Sequence, residues 1–170
     1  MIKFKKVSKE QYMKDMKKHF PNMSESEIET SYDMIKLPTR ATKGSAGYDF
    51  VAPVAITIKP NEAQVIPTGI RCIMDSNIVL SLYPRSGHGF KEGIHLANTV
   101  GIIDSDYQFA DNEGHIMIKL VNDSVLSHNN YFFVSAGNGF AQGIFTRYEI
   151  TDDDNTDGQR TGGFGSTTKG

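Results

Sequence analysis

Three stretches of this chain set residues capable of acid, base or anion-binding chemistry close together. Pro84-Arg85-Ser86-Gly87-His88-Gly89 puts a cation and a hydroxyl beside two glycines. An Arg fork and a Ser hydroxyl can grip a phosphate, and glycines let backbone amides approach a ligand closely. An ordinary turn would use the same residue types. Gly101-Ile102-Ile103-Asp104-Ser105-Asp106-Tyr107 reads as an apolar strand ending in two carboxylates two residues apart. On a strand that spacing sends both to one side, where one could act as general base on a water or help bind a metal. Turn formation by Asp and Ser is the plainer alternative. Arg160-Thr161-Gly162-Gly163-Phe164-Gly165-Ser166-Thr167 is a second candidate phosphate cradle, with a ring available to stack on a base. It lacks the G-x-x-x-x-G-K-[ST] order of a P-loop, which argues against a Walker-type NTPase.

The elements that must position these residues fall into three zones. Residues 8–37 read as a short helical hairpin. Ser8 with Gln11 and Ser24 with Glu27 fit the capping box, Tyr12, Met16 and Phe20 recur every four residues, as Ile28 and Tyr32 do with Ile35 three further on, and Pro21 and Pro38 close the segments. From about 39 to 150 the pattern changes to short apolar runs, at 51–58, 65–74, 78–83, 116–121, 131–134 and 140–150, parted by Gly, Pro, Asn and Asp. Such runs, rich in Val, Ile, Phe and Tyr, predict an all-β sandwich or jelly roll. Residues 151–170 are polar and cannot bury enough apolar area to order themselves, so a flexible arm is expected. Its one large apolar residue, Phe164, lies among glycines, which is odd for a linker.

Composition narrows the function classes. A chain of 170 residues suits one domain, here 1–150 with a helical insertion at about 8–35, followed by the arm 151–170. The formal charge of −2 gives no reason to expect binding to bulk nucleic acid, so an anionic ligand would be small and held by a few placed cations and amides. The single cysteine, Cys72, cannot form an internal disulfide and reads as a buried free thiol. No apolar run approaches the roughly 20 residues that cross a bilayer, and no signal-peptide core is seen at the N-terminus. A cytoplasmic protein is expected, with the sequons at Asn22 and Asn122 as chance matches.

Any one of these signals is weak; their order is specific. Ser45-Ala46-Gly47-Tyr48-Asp49-Phe50, Pro84-Arg85-Ser86-Gly87, Asn98-Thr99-Val100-Gly101 running on to Tyr107, Gly137-Asn138-Gly139-Phe140-Ala141-Gln142, and residues 160–167 resemble the five ordered motifs of the trimeric dUTPase family. The resemblance covers nearly everything from 37 to 168. It implies a dUTPase-like jelly roll of the β-clip type, assembled as a homotrimer with three interface sites, each fed by three chains. The implied reaction is Mg²⁺-assisted hydrolysis of dUTP to dUMP and pyrophosphate, which limits uracil in DNA. Asp104 then matches the residue that activates the attacking water. Asn98, with backbone of the following hairpin including Gly101, matches the uracil contact. Tyr107 matches the ring under the deoxyribose, which leaves no room for a 2′-hydroxyl. Arg85, Ser86, Gly87 and Gln142 match phosphate contacts, and Asp49 a residue steadying the Arg and the hydrated metal. In the arm, Arg160 would meet the γ-phosphate, Phe164 would stack on uracil, and Gly165, Ser166 and Thr167 would wrap the phosphates. Mg²⁺ would be held by triphosphate and water, with no first-shell protein ligand.

The chain departs from the family pattern at three places. Asn138-Gly139 replaces an acidic residue and an Arg, removing a local ion pair; 109–115 adds residues after the third motif; and 8–35 interrupts the opening strand. None of these touches the motif residues, so deletion of 8–35 is expected to leave activity. Some similar phage dUTPases carry lineage-specific insertions and bind regulatory proteins such as repressors, so a phage origin and a regulatory partner fit the insertions. The rivals are a dCTP deaminase-like enzyme of the same fold and a non-catalytic regulatory trimer.

Overall fold

A computed structural model of the chain describes residues 1–123, 125–158 and 162. The arm residues Arg160, Phe164, Gly165, Ser166 and Thr167 lie outside them. Among the described residues, β1 (Lys3–Lys6) leads into α1 (Lys9–His19) and α2 (Glu25–Asp33). The β-rich remainder follows: β2 (Tyr48–Val51), β3 (Ile56–Ile58), β4 (Ala63–Pro67), β5 (Ile70–Ile73), β6 (Ile78–Pro84), α3 (Ser86–Glu92), β7 (Ile94–Leu96), β8 (Gly101–Ile103), a 3-10 helix (Ser105–Phe109), β9 (Met117–Asn122), β10 (Phe132–Val134) and β11 (Gly139–Arg147). Four sheets result, ordered β2-β11-β6-β8, β4-β9-β7, β1-β5 and β10-β3, and the pairings are antiparallel. The predicted mostly-β architecture with a helical hairpin near its start is what forms.

Alternation explains which faces pack. Ile56 and Ile58 on β3, and Ile118 and Leu120 on β9, point inward while the residues between them face out or to the rim. The runs 51–58 and 65–74, read as single units, each break in two. The second breaks at Gly69, whose φ of +73° turns the chain from β4, in the three-stranded sheet, to β5, which pairs with β1. The run 140–150 stays extended only to Arg147.

The two helices are part of the core. Tyr12, Met16, Ile28 and Ile35 belong to the same buried cluster as Ile66, Ile70, Leu80 and Ile118. Each such side chain contributes about 1.5–3 kcal/mol by leaving water. This packing opposes the expectation that deletion of 8–35 leaves activity, because removing the segment would strip this side of the core. The capping boxes differ from each other. At Ser24 the box is complete, with Glu27 Oε2 accepting from the Ser24 N–H at 2.7 Å. At Ser8 the hydroxyl accepts from the Gln11 N–H, but the reciprocal acceptor is Glu113, from the 109–115 segment, at 2.8 Å. Gln11 turns inward instead, to Asp15.

Candidate functional site

The register of the four-stranded sheet assembles the polar side of the site. On β11, Gln142 stands opposite Asp49 of β2 and opposite Tyr83 of β6, next to the end of β6 where Arg85 follows. Gln142 Nε2 donates to the Pro84 carbonyl at 3.1 Å. Arg85 Nε lies 3.3 Å from Asp49 Oδ1, and its terminal NH1 donates to the Gly139 carbonyl at 3.4 Å. The candidate phosphate grip at 84–89, for which an ordinary turn is the alternative, runs from the end of β6 into α3, with Arg85 as the extended N-cap. The Ser86 and Gly87 amides thus begin a helix, where backbone N–H groups have no carbonyl of their own turn. Asp49, Arg85, Ser86 and Gln142 line one cavity of about 340 Å³, with Ser45, Ala46 and Gly47 on its wall.

Gly139 takes on a specific part here. A Cβ at that position would sit 3.2 Å from three atoms of the Arg85 side chain. The missing side chain of the fourth motif is thus the seat on which Arg85 lies, and Asp49 supplies the carboxylate beside it. His88 closes the same spot, with Nε2 3.2 Å from the Gly139 carbonyl and Nδ1 2.5 Å from Glu92 Oε2. Sequence reading missed His88; its place one turn from Arg85 on a short helix was the available signal.

A second cavity, of about 420 Å³, shares no wall residue with the first. Asn98 and Gly101 line it with Leu82, Leu96, Lys119 and His19. Asn98 sits in the β7–β8 turn, which is pinned by the Ala97 N–H donating to Lys119 O at 2.9 Å and carries Thr99 at φ +63°. His19 arrives from the last turn of α1, held there by Gln64 donating to its carbonyl at 3.1 Å. Burial, then the charge of Lys18, holds the His19 imidazole below its ordinary value. Nothing in the sequence pattern signalled that α1 would reach this wall.

Asp104 and Tyr107 line neither cavity. The strand expected to carry Asp104 and Asp106 on one side ends at Ile103, and the 3-10 helix follows with Asp104 as its N-cap. Period two does not apply to a helix, so the reason given for placing both carboxylates together fails. Asp104 is half-buried, and its carbonyl accepts from the Tyr107 N–H at 3.1 Å. Tyr107 is 2% exposed. Its hydroxyl donates to the His115 carbonyl and accepts from Asn112 Nδ2, both at 2.8 Å. Among the described residues no three His, Cys, Asp or Glu side chains gather around a common point. No described helix is long and apolar enough to cross a membrane.

A polar cavity with a placed Arg and a separate, mainly apolar one, on a β-rich frame, suit a protein that binds a small anionic ligand with an apolar part. The dUTPase family model matches residues 33–168. The deoxyuridine 5′-triphosphate nucleotidohydrolase of Lactococcus lactis subsp. lactis is 38% identical over 146 residues, which is 83% of this chain and 95% of that protein. The crystal structure of the dUTPase from Streptococcus mutans superposes with a TM-score of 0.63 at 27% identity, covering 88% of this chain and 98% of that one. A mutant dUTPase from phage phi11 of S. aureus, described as coordinating a structural Mg(II) ion, shares the fold at 17% identity and a TM-score of 0.63, covering 93% and 97% of the two chains. The chain belongs to the dUTPase family, and its activity is dUTP hydrolysis.

Proposed function

We propose that the chain cleaves dUTP between the α- and β-phosphates at sites completed by neighbouring copies of itself. Water attacks the α-phosphorus, the bond from that phosphorus to the α,β-bridging oxygen breaks, pyrophosphate leaves, and Asp104 takes the proton of the water. Asp104 suits this work because the 3-10 turn fixes its backbone while its side chain is half-buried. Arg85 carries the phosphate charge with Ser86, Gly87 and Gln142. Asn98 and Gly101 receive the uracil edge. Tyr107 forms the wall against the sugar, and a ring so fully packed is a hard one. Arg160, Phe164, Gly165, Ser166 and Thr167 close over the bound nucleotide.

The observation that carries this reading is the seating of Arg85 between Asp49 and Gly139 at the polar cavity. A guanidinium fixed in this way is pre-organised for phosphate, so little is lost in ordering it on binding. The division of Asn98 and Gln142 between two cavities of one protomer supports a site shared among three chains. Among the described residues Asp49 is the one carboxylate on the wall of the polar cavity, which suits a cation carried mainly by phosphate and water; Asp49 would help hold a hydrated Mg²⁺ there. When bound, the ion would supply neutralisation of the triphosphate charge.

Pyrophosphate release measured on dUTP, dTTP, dCTP and UTP, with and without Mg²⁺, tests the reading. Release from dUTP alone, dependent on the metal, is expected. Ammonia from dCTP, assayed alongside, would establish the deaminase instead, and no turnover of any of the four by a protein that still assembles as a trimer would leave the non-catalytic reading.

A further inference from the structure

Two segments outside the five motifs meet over Tyr107. His115 ends the 109–115 segment and is fully buried. Its imidazole faces α1, and its carbonyl faces Tyr107. Nε2 accepts from the Gly69 N–H at 2.8 Å, so that nitrogen carries no hydrogen and Nδ1 does. Nδ1 donates to Asp15 Oδ2 at 2.6 Å, and the same oxygen accepts from Gln11 Nε2 at 2.7 Å. Both nitrogens of the ring are thereby committed, and its orientation is fixed by Asp15 on one side and the β4–β5 turn on the other. The His115 carbonyl, held in place in turn, accepts from the Tyr107 hydroxyl at 2.8 Å.

The rest of the segment is clamped in the same sense. Asn112 donates to the Tyr107 hydroxyl while its Oδ1 accepts from the Gly114 N–H at 3.2 Å. Gly114, at φ +71°, lies so close that a Cβ would come within 2.7 Å of the Tyr107 carbonyl oxygen. Ser8, the N-cap of α1, donates to Glu113 from both its N–H and its hydroxyl, at 2.8 and 2.5 Å. The helix is thus tied to the 109–115 segment at its cap and again two turns along, at Asp15.

We infer that Asp15 is a positioning residue for the nucleotide site: through His115 it fixes the carbonyl that holds the Tyr107 hydroxyl, and so sets how the ring meets the sugar. The inference rests on the proposed part of Tyr107 as the wall against the deoxyribose. Without the Asp15 acceptor, the buried Nδ1–H has no partner. The ring must then turn, its carbonyl shifts, and the Tyr107 hydroxyl is released from one of its bonds. A wall that gives way admits a 2′-hydroxyl more readily. Asp15 touches no substrate atom; its effect lies in selectivity between sugars.

The test is kcat/KM for dUTP and UTP, by pyrophosphate release, for the full chain and its variants. Asp15→Ala should raise the UTP-to-dUTP ratio about tenfold, the effect of one loosened buried hydrogen bond. Asp15→Asn, whose amide oxygen can still accept from Nδ1–H, should stay within about twofold. The double variant Asp15→Ala with Tyr107→Phe should show the ratio of Tyr107→Phe alone, because the link through the hydroxyl is already cut. Effects that multiply would mean that Asp15 acts by general destabilisation and would overturn the inference. Should Asp15→Ala fail to fold, Gln11→Ala, which removes the other bond to the same carboxylate oxygen, should raise the ratio about two- to threefold. That rise too should vanish in the Tyr107→Phe background. An unchanged ratio in folded Asp15→Ala, or in Gln11→Ala where Asp15→Ala does not fold, refutes the proposal. Tyr107→Ala separates the two levels: if it leaves the ratio unchanged, the reading of Tyr107 itself is wrong, whereas a rise with Tyr107→Ala and none with Asp15→Ala removes only the positioning role.

Discussion

Met16→Ala measures whether the helical hairpin is built into the core or laid upon it. Met16 is 0% exposed and packs within the cluster that also holds Ile66, Ile70 and Ile118. Truncating a buried Met costs about 2–5 kcal/mol, from lost transfer free energy and the cavity left behind. The unfolding entropy of a 170-residue chain is about 0.36 kcal/mol per kelvin at roughly 2.1 cal/mol/K per residue. A loss of about 3 kcal/mol therefore lowers the melting midpoint by about 8 °C. Met34→Ala is the matched control: the same chemistry at a position 70% exposed just past α2, expected to shift the midpoint by no more than about 1–2 °C. Both are read by thermal denaturation followed by circular dichroism at one protein concentration, since assembly makes the midpoint concentration-dependent. If Met16→Ala melts within about 2 °C of wild type, the hairpin is not an integral part of the core and deletion of 8–35 becomes tolerable after all. If the packing is as described, that deletion should abolish cooperative melting.

Three further outcomes follow from the site and its surroundings. Asp104→Asn should lower kcat on dUTP by about 10²–10⁴ while KM stays within a few-fold, since an amide hydrogen-bonds but takes no proton; retention of half the wild-type kcat would remove Asp104 from the chemistry. The Cys72 thiol, pushed up to about 12 by burial, should resist thiol reagents at neutral pH until the protein unfolds, and rapid stoichiometric labelling of native protein would contradict its placement. For Asp15, burial alone would raise the carboxyl, but the bonds from His115 and Gln11 outweigh it and hold the group below the usual carboxylate range. A depressed folded pKa stabilises above the unfolded value near 4 and loses that stabilisation as pH falls through the folded one, so Asp15→Asn should flatten the fall in melting midpoint below about pH 4, and an unchanged acid limb would refute this.

Much of the frame was legible because it rests on local rules. Caps and four-residue spacing located α1 and α2 closely, and short apolar runs between turn residues located β9 and β10. Arg85, Asp49 and Gln142 were recognisable as motif residues, and strand register then brings them together. The failures came where a local rule was outweighed by something distant. Gln11 had the right type and spacing to close a capping box, yet Asp15 offered it a buried carboxylate and Glu113 took its place at Ser8. The Asp104 segment read as strand because its apolar residues precede it, but the turn imposed by Asp-Ser-Asp starts a 3-10 helix as soon as β8 ends. A partner about a hundred residues away leaves no trace in a window of ten.

Gly69 shows how such a distant requirement is met. Its N–H donates to His115, and its carbonyl accepts from the Val7 N–H at 3.0 Å, just ahead of α1. The space where a Cβ would stand is filled by Ile35, past the end of α2, and by the Tyr12 ring of α1. One residue therefore faces Val7 just ahead of the hairpin, the first helix α1, Ile35 just after α2, and the late 109–115 segment. Within an apolar run, a glycine is the usual mark of close approach by another part of the chain, and here that part is the hairpin itself. The two departures from the family pattern at 8–35 and 109–115 are thus one structural unit, joined at Gly69 and at Asp15. A variant that alters either segment should be judged by what it does to the other.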